Sequence, residues 1–257
     1  MAYQYIRTEV KNGVLVLTLD DPKTRNALSV DMAGEMIEEI DRFEREPSER
    51  VLVLTGADPS FCSGANVRGF DREIQNRGAS EEPAPSPWER FNPVYYAAIA
   101  SDQKHDQTRG VVRAAVRLFR VQKPTIAAVN GHAYGIGHGL AIGCDLRIAS
   151  EKALFCEAFI RNGLVSADGS CWQLPKIIGM ANTLMMQYTG DPMSGAEAYR
   201  IGLCNKVVPH GELMDETMEL ATRLAQGPTF SMALMKAMVH RAYGQDFLSH
   251  IGEASLA

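Results

Sequence analysis

The chain lacks the signatures of several protein classes. Its five cysteines, Cys62, Cys144, Cys156, Cys171 and Cys204, are odd in number and form no CxxC pair. A disulfide framework or thiolate zinc site is therefore not expected, and reduced, mostly buried thiols in a cytosolic protein are. The six histidines, at 105, 132, 138, 210, 240 and 250, include no HExxH-type pairing with a nearby acid, so no metal is expected. There is no basic stripe. With a net charge of −5, nucleic acid is not an expected partner. No apolar run is long enough to span a bilayer, and the N-terminus, MAYQYIRTEVKNG, has no apolar signal core. Cytoplasmic localisation and no membrane span are the expectation. No repeat of fixed period and no low-complexity tail occur.

Glycine, in contrast, is concentrated. Residues 130–145 read NGHAYGIGHGLAIGCD and carry Gly131, Gly135, Gly137, Gly139 and Gly143. Such density costs backbone entropy. A dinucleotide fingerprint needs GxGxxG, and counting from Gly137 and Gly139 the next glycine, Gly143, comes one residue late. A Walker loop needs a terminal GK[ST], which is absent. Two readings remain: the glycines let a buried helix pack closely on a strand, or they deliver unpaired N–H groups at a helix start to a developing oxyanion. A second turn, SFCSGANV at 60–67, also follows an apolar strand and pivots on Gly64. A third, TRNAL at 24–28, follows the first strands.

The rest of the chain alternates strand and helix. YIRTEV-NG-VLVLTL reads as a hairpin with a type I′ turn. Ser29 caps a helix to about Glu46 with a Met32, Met36, Ile37, Ile40, Phe43 stripe. VLVLTG (51–56) and TIAAV are buried strands, ADPSFCSGANV is a loop, 108–121 is a helix and LRIAS (146–150) a further strand. Residues 70–106, with EEPAPSPWERFNP, read as a long surface excursion or flap with a helix around 93–100. After Pro175 the chain reads as mainly helical, over 194–201, 212–225 and 228–243. The order argues for an α/β fold with crossover connections.

RNAL, FCSGANV, NGHAYGIGHGLAIGCDLRIAS, GLVSADGSCWQLPKIIG and TGDPMSGAEAYRIGLCNKVVP, in that order, resemble the crotonase superfamily, the enoyl-CoA hydratase/isomerase family, over nearly the whole chain. The resemblance implies an α/β, crotonase-like right-handed spiral of ββα turns over 1–193 and a C-terminal helical trimerisation region over 194–257. It implies an acyl-CoA thioester substrate, with coenzyme A entering as part of the substrate and no other cofactor, and a homotrimer or dimer of trimers. Ala65 and Ile136 match the backbone oxyanion donors. Arg25 and Ala27 match the loop that holds the CoA nucleotide, and Ala65, Asn66, Val67 and Arg68 the thioester and pantetheine side. Phe230 and Lys236 match C-terminal positions that reach CoA phosphate or adenine, while a solvated lysine is the alternative for Lys236.

One departure matters. The family's hydratases use two glutamates, and the matching positions here are Gly139 and Phe159. Enolate chemistry still needs a proton carrier. Asp168, in SADGS, is the first candidate. It also suits capping of the helix that follows, and the two roles do not exclude each other. His138, in the first turn after Ile136, is the second, although a helix N-terminus favours its neutral form and a packing or structural role is the alternative. Glu157 would share a face with Phe159 if that segment were extended, or stand on the surface. Asp71 and Glu73 from the flap, and Trp88, Tyr95 and Tyr96 as pocket walls, complete the set. The expected function is processing of an unsaturated acyl-CoA, by hydration or double-bond isomerisation, through an enolate held in an oxyanion hole. A CoA-thioester hydrolase or C–C lyase of the same fold, and a non-catalytic acyl-CoA-binding relative, are the alternatives.

Overall fold

A computed structural model gives the fold and describes residues 3–66 and 110–254. The first hairpin forms as its sequence directs. Asn12 and Gly13 take φ of 54° and 76°, as a type I′ turn requires, and join β1 (Ile6–Lys11) to β2 (Val14–Leu19). Ser29 Oγ accepts the Met32 N–H at 3.0 Å and starts α1 (Val30–Arg45), whose Met32, Met36, Ile40 and Phe43 are fully buried.

The chain then winds in repeating turns, each giving one strand to each of two sheets. β3 (Val51–Gly56), β5 (Thr125–Val129) and β7 (Leu146–Ser150) are neighbours in a six-stranded sheet ordered β1-β2-β3-β5-β7-β10. β4 (Ser60–Cys62), β6 (His132–Tyr134) and β8 (Leu154–Cys156) are neighbours in a four-stranded sheet ordered β4-β6-β8-β9. α2 (Val112–Phe119) precedes β5, and α3 (Ile136–Gly143) links β6 to β7. All pairings beyond β1–β2 and β8–β9 are parallel.

The large sheet is covered on both faces, which explains its unbroken apolar strands. In β3, Leu52 and Leu54 pack toward α1, α2 and α3, while Val51 and Val53 pack with Leu213, Ala221 and Ala225 on the other side. Those last three residues belong to a C-terminal helix described below.

Several expectations change. The segment read as the loop ADPSFCSGANV contains β4, and β6 and β8 were not anticipated, because three-residue strands show no period in the sequence. The helix expected over 108–121 is described from Val112 to Phe119. Helix begins before Pro175, in α4 (Ser170–Thr189), which is broken at Gly179 (φ 77°, ψ 163°). The region after residue 193 holds α5 (Gly195–Arg200), α6 (Leu213–Gln226), α7 (Thr229–Ala242) and α8 (Phe247–Ala254). It also returns a strand to the large sheet, β10 (Lys206–Val208), while β9 (Met193–Ser194) spans the 193/194 boundary. The 70–106 excursion, its 93–100 helix, Asp71, Glu73, Trp88, Tyr95, Tyr96, Val67 and Arg68 lie outside the described residues. No helix among the described residues is long and apolar enough to cross a membrane.

Two glycines make opposite tests of this packing. A Cβ on Gly137 would lie 2.3 Å from the Cys62 carbonyl oxygen, whereas one on exposed Gly34, inside α1, would meet nothing within 4 Å. Gly137→Ala is expected to destabilise by about 1–3 kcal/mol through backbone displacement. Gly34→Ala is expected to stabilise by roughly 0.5–1 kcal/mol through helix propensity. Denaturant unfolding of both variants checks the pair.

Candidate active site

Three sequence stretches meet at one place. The 24–28 loop is pinned by Asn26, buried with φ 57°, whose Nδ2 donates to the carbonyls of Ala57 and Ser60 at 2.7 Å each. It docks on the 63–66 turn: Ser63 N–H donates to Arg25 O (3.1 Å), Leu28 N–H to Gly64 O (2.8 Å) and Asn66 N–H to Leu28 O (3.0 Å). That turn in turn abuts the glycine stretch. A Cβ on Gly64 would lie 3.3 Å from Tyr134 O, and β4 pairs in parallel with β6 just before both turns. Gly64 (φ 118°) and Gly135 (φ 52°, ψ −122°) adopt backbone that L side chains rarely take.

Among the described residues, these turns leave two N–H groups available. In the parallel bridge between Leu28 and Ala65, Leu28 uses its own N–H and C=O, so those of Ala65 point to the opposite side. Ile136 is the first residue of α3, where an N–H has no acceptor within the helix. Both donors therefore sit at strand-to-turn junctions whose separation is fixed by β4–β6 pairing.

Next to Gly139, one turn into α3 from Ile136, stands a buried carboxyl. Asp168 is 4% exposed; its Oδ1 accepts from the N–H (3.0 Å) and hydroxyl (2.6 Å) of Ser170, while its Oδ2 has no partner among the described residues. Oδ2 occupies the space next to Gly139: a Cβ there would lie 2.1 Å from it. Asp168 thus braces the start of α4 with one oxygen and keeps the other free. Burial, reinforced by the Glu157 carboxylate, pushes its pKa up to about 6, against the two Ser170 hydrogen bonds.

Behind Asp168, His138 Nδ1 lies 2.6 Å from Glu157 Oε1, both residues being almost fully buried. Ser166 Oγ donates to Glu157 Oε2. Burial alone would raise the Glu157 pKa, but the His138 hydrogen bond and charge, with Ser166 and Ser170, hold it below the usual range.

The fold and these turns have known counterparts. The profile of the enoyl-CoA hydratase/isomerase family matches residues 9–103 and 96–251. The 1,2-epoxyphenylacetyl-CoA isomerase of Escherichia coli K12 is 33% identical over 239 residues, 93% of this chain and 83% of that protein. The chain belongs to the enoyl-CoA hydratase/isomerase family. A carnitinyl-CoA dehydratase of Proteus mirabilis is 33% identical over 240 residues, 93% of this chain and 81% of its own length. Among solved structures, an enoyl-CoA hydratase subunit of Geobacillus kaustophilus superimposes with a TM-score of 0.79 at 31% identity, covering 97% of this chain and 86% of that one. The spiral of ββα turns is accordingly the crotonase fold.

Gly139 and Phe159, the two positions where the resemblance leads a glutamate to be expected, bear no carboxyl. Phe159 does not extend from Glu157 as a strand, because Ala158–Asn162 is a 3-10 turn. Its ring instead closes on the glycine turn, 3.9 Å from where a Gly135 Cβ would be. Glu157 is correspondingly not a surface residue: it is 1% exposed and turned toward His138. Ser166 and Ser170, which the sequence did not single out, carry a trace in the alternating polar pattern S-A-D-G-S, whereas Glu157 lies outside it.

Of the positions matched to CoA, Ala27 is buried, Ala65 and Asn66 are half-buried and Arg25 is exposed beside them. Lys236 is not the solvated lysine of the alternative reading. Its side chain is 13% exposed and its ammonium lies 2.8 Å from Asp145, so a role with CoA would require breaking this pair. Phe230 is exposed in the first turn of α7.

The raised Asp168 pKa makes a stability prediction. A carboxyl raised in the folded state contributes stability that is fully present below its unfolded value and lost as pH rises through its folded value. The window therefore runs from about pH 4 to just above 6. Relative to Asp168→Asn, the wild type should lose about 1–3 kcal/mol across that window and little beyond it. Denaturant unfolding of both proteins at a series of pH values measures the difference.

Proposed function

We propose that the protein is a double-bond isomerase of unsaturated acyl-CoA thioesters. It works through an enolate held by the Ala65 and Ile136 N–H groups, with Asp168 as the single proton carrier. The observation that carries this reading is the placement of Asp168 Oδ2 in the volume a side chain on Gly139 would fill. The carboxyl missing from α3 is replaced from α4. The second glutamate position, Phe159, offers no acid or base. One carboxyl suffices for a shift of a double bond. Asp168 removes a proton from carbon next to the thioester carbonyl, negative charge develops on the carbonyl oxygen between the two N–H donors, and the same carboxyl returns the proton at the γ carbon. A group with a pKa near 6 is suited to both halves of that exchange.

The CoA moiety would lie along Arg25, Ala27, Asn66, Val67 and Arg68 and needs no resident cofactor. A cytosolic trimer is in keeping with free cysteines and with Met180, Met185, Tyr188, Phe247 and Leu248 exposed on α4 and α8.

The test is a panel of 2-enoyl- and 3-enoyl-CoA substrates read by mass and by absorbance of the conjugated thioester. The expected product has unchanged mass and a moved double bond, and Asp168→Asn should lower turnover by about 10²-fold or more. Water addition, release of free CoA or no change across the panel would each replace the isomerase reading, and full activity in Asp168→Asn would remove Asp168 from the mechanism.

A further inference from the structure

Glu157 is a buried side chain that the proposed reaction does not use, and its surroundings are unusual. It receives donors only: His138 Nδ1–H at 2.6 Å on Oε1, and Ser166 Oγ–H and Gln187 Nε2–H (3.5 Å) on Oε2. A carboxyl surrounded by donors is held as the anion. Its donors come from three separate elements: α3, the loop before α4, and α4 itself. The anion is therefore fixed in place. Ser166, which donates to Glu157, stands two residues before Asp168 on the loop that leads into α4, so the fixed anion anchors the loop that bears the second buried carboxyl.

We infer that Glu157 is a positioning residue for Asp168: a fixed buried anion that anchors, through Ser166, the loop bearing Asp168 and places a negative charge beside its carboxyl. This rests on Asp168 being the proton carrier. The titratable groups that act on Asp168 are Glu157, from the segment after β8, and His138, from α3; Glu157 opposes ionisation and His138 favours it. Burial supplies the larger share of the upward shift and Glu157 the next. Removal of the anion should therefore lower the Asp168 midpoint without returning it to that of an exposed aspartate. Glu157→Gln keeps the length and an oxygen acceptor for His138 while removing the charge. His138 is the counterpart of this arrangement. With Nδ1 given to Glu157 and Nε2 buried without a partner among the described residues, it serves as the donor that fixes the anion.

The test needs no substrate. The pH dependence of unfolding is compared in four proteins: wild type, Asp168→Asn, Glu157→Gln and the double variant. The difference between each protein and its Asp168→Asn counterpart isolates the Asp168 titration. The folded-state midpoint, read where that difference levels off at its upper end, should lie near pH 6 with Glu157 present and about one pH unit lower, a ten-fold loss of proton affinity, in the Glu157→Gln background. Identical midpoints in the two backgrounds would overturn the inference, whatever the activity. A loss of packing alone would lower stability at all pH values and leave the midpoint in place. Should Glu157→Gln fail to fold, carbon-13 titration of the wild-type carboxyls decides. An Asp168 resonance that moves at an ordinary aspartate pH, with Glu157 titrating above it, overturns the inference, and the reverse order sustains it. On an acyl-CoA that the wild type converts, the acid limb of kcat/KM should move with the Asp168 midpoint. Retained turnover in Asp168→Asn is a separate outcome: it removes the catalytic reading, even where the coupling between the two carboxyls is found.

Discussion

The site depends on one close approach, that of the α3 backbone to β4. Gly137 lies so near the Cys62 carbonyl that no side chain fits between them, and the same contact sets where the first turn of α3 stands relative to the Ala65 turn. Two N–H donors can act on one oxygen only if their spacing is fixed before the substrate arrives. Parallel pairing of β4 with β6 supplies that spacing, and the Asn26 side chain, bonded to Ala57 O and Ser60 O, holds the loop that closes it. The glycines in this region are therefore answers to different demands. Gly64 and Gly135 permit turns with positive φ, Gly137 permits contact, and Gly139 makes room for a carboxyl from another helix.

That carboxyl illustrates how burial and charge divide a task. Desolvation raises an acid wherever it occurs, but it neither selects an orientation nor specifies which oxygen is free. Ser170 selects the orientation by engaging only Oδ1. Glu157 contributes a second upward push that burial alone would not give, and is itself prevented from taking the proton by the donors around it. Two neighbouring carboxyls are thus driven in opposite directions by their different partners, a condition under which one can titrate near neutrality while the other stays ionised.

Much of this was legible in the sequence. The I′ hairpin, the Ser29 cap with its helical stripe, the apolar strands and the three turns around Arg25, Gly64 and Gly135 all have local signals, and the structure brings the three turns together. What the sequence concealed has physical reasons. β4, β6 and β8 are three residues long and owe their pairing to neighbours far along the chain. The strand Lys206–Val208 was hidden in a helical region because its partner, β7, lies more than fifty residues earlier. Glu157 read as a surface acid because nothing local indicates that His138 and Ser166 will surround it. Asp168 stood out, but its relation to Gly139, 29 positions away by numbering, exists only once α3 and α4 are packed together.

This packing makes Gly139 and Asp168 a single feature rather than two. With Asp168 Oδ2 2.1 Å from the place of a Cβ, no side chain at 139 can coexist with Asp168 in its present position. Gly139 is consequently a requirement of this packing and not merely an unfilled position. A glutamate borne on α3 would arrive on a long, rotatable side chain, whereas Asp168 arrives on a short one tethered at the start of α4 and leaves a single oxygen unpartnered. Such an arrangement trades reach for fixed direction. Phe159, whose ring lies against the glycine turn, brings no acid or base to it, so the turn is met by an aromatic ring on one side and by one unpartnered carboxyl oxygen on the other.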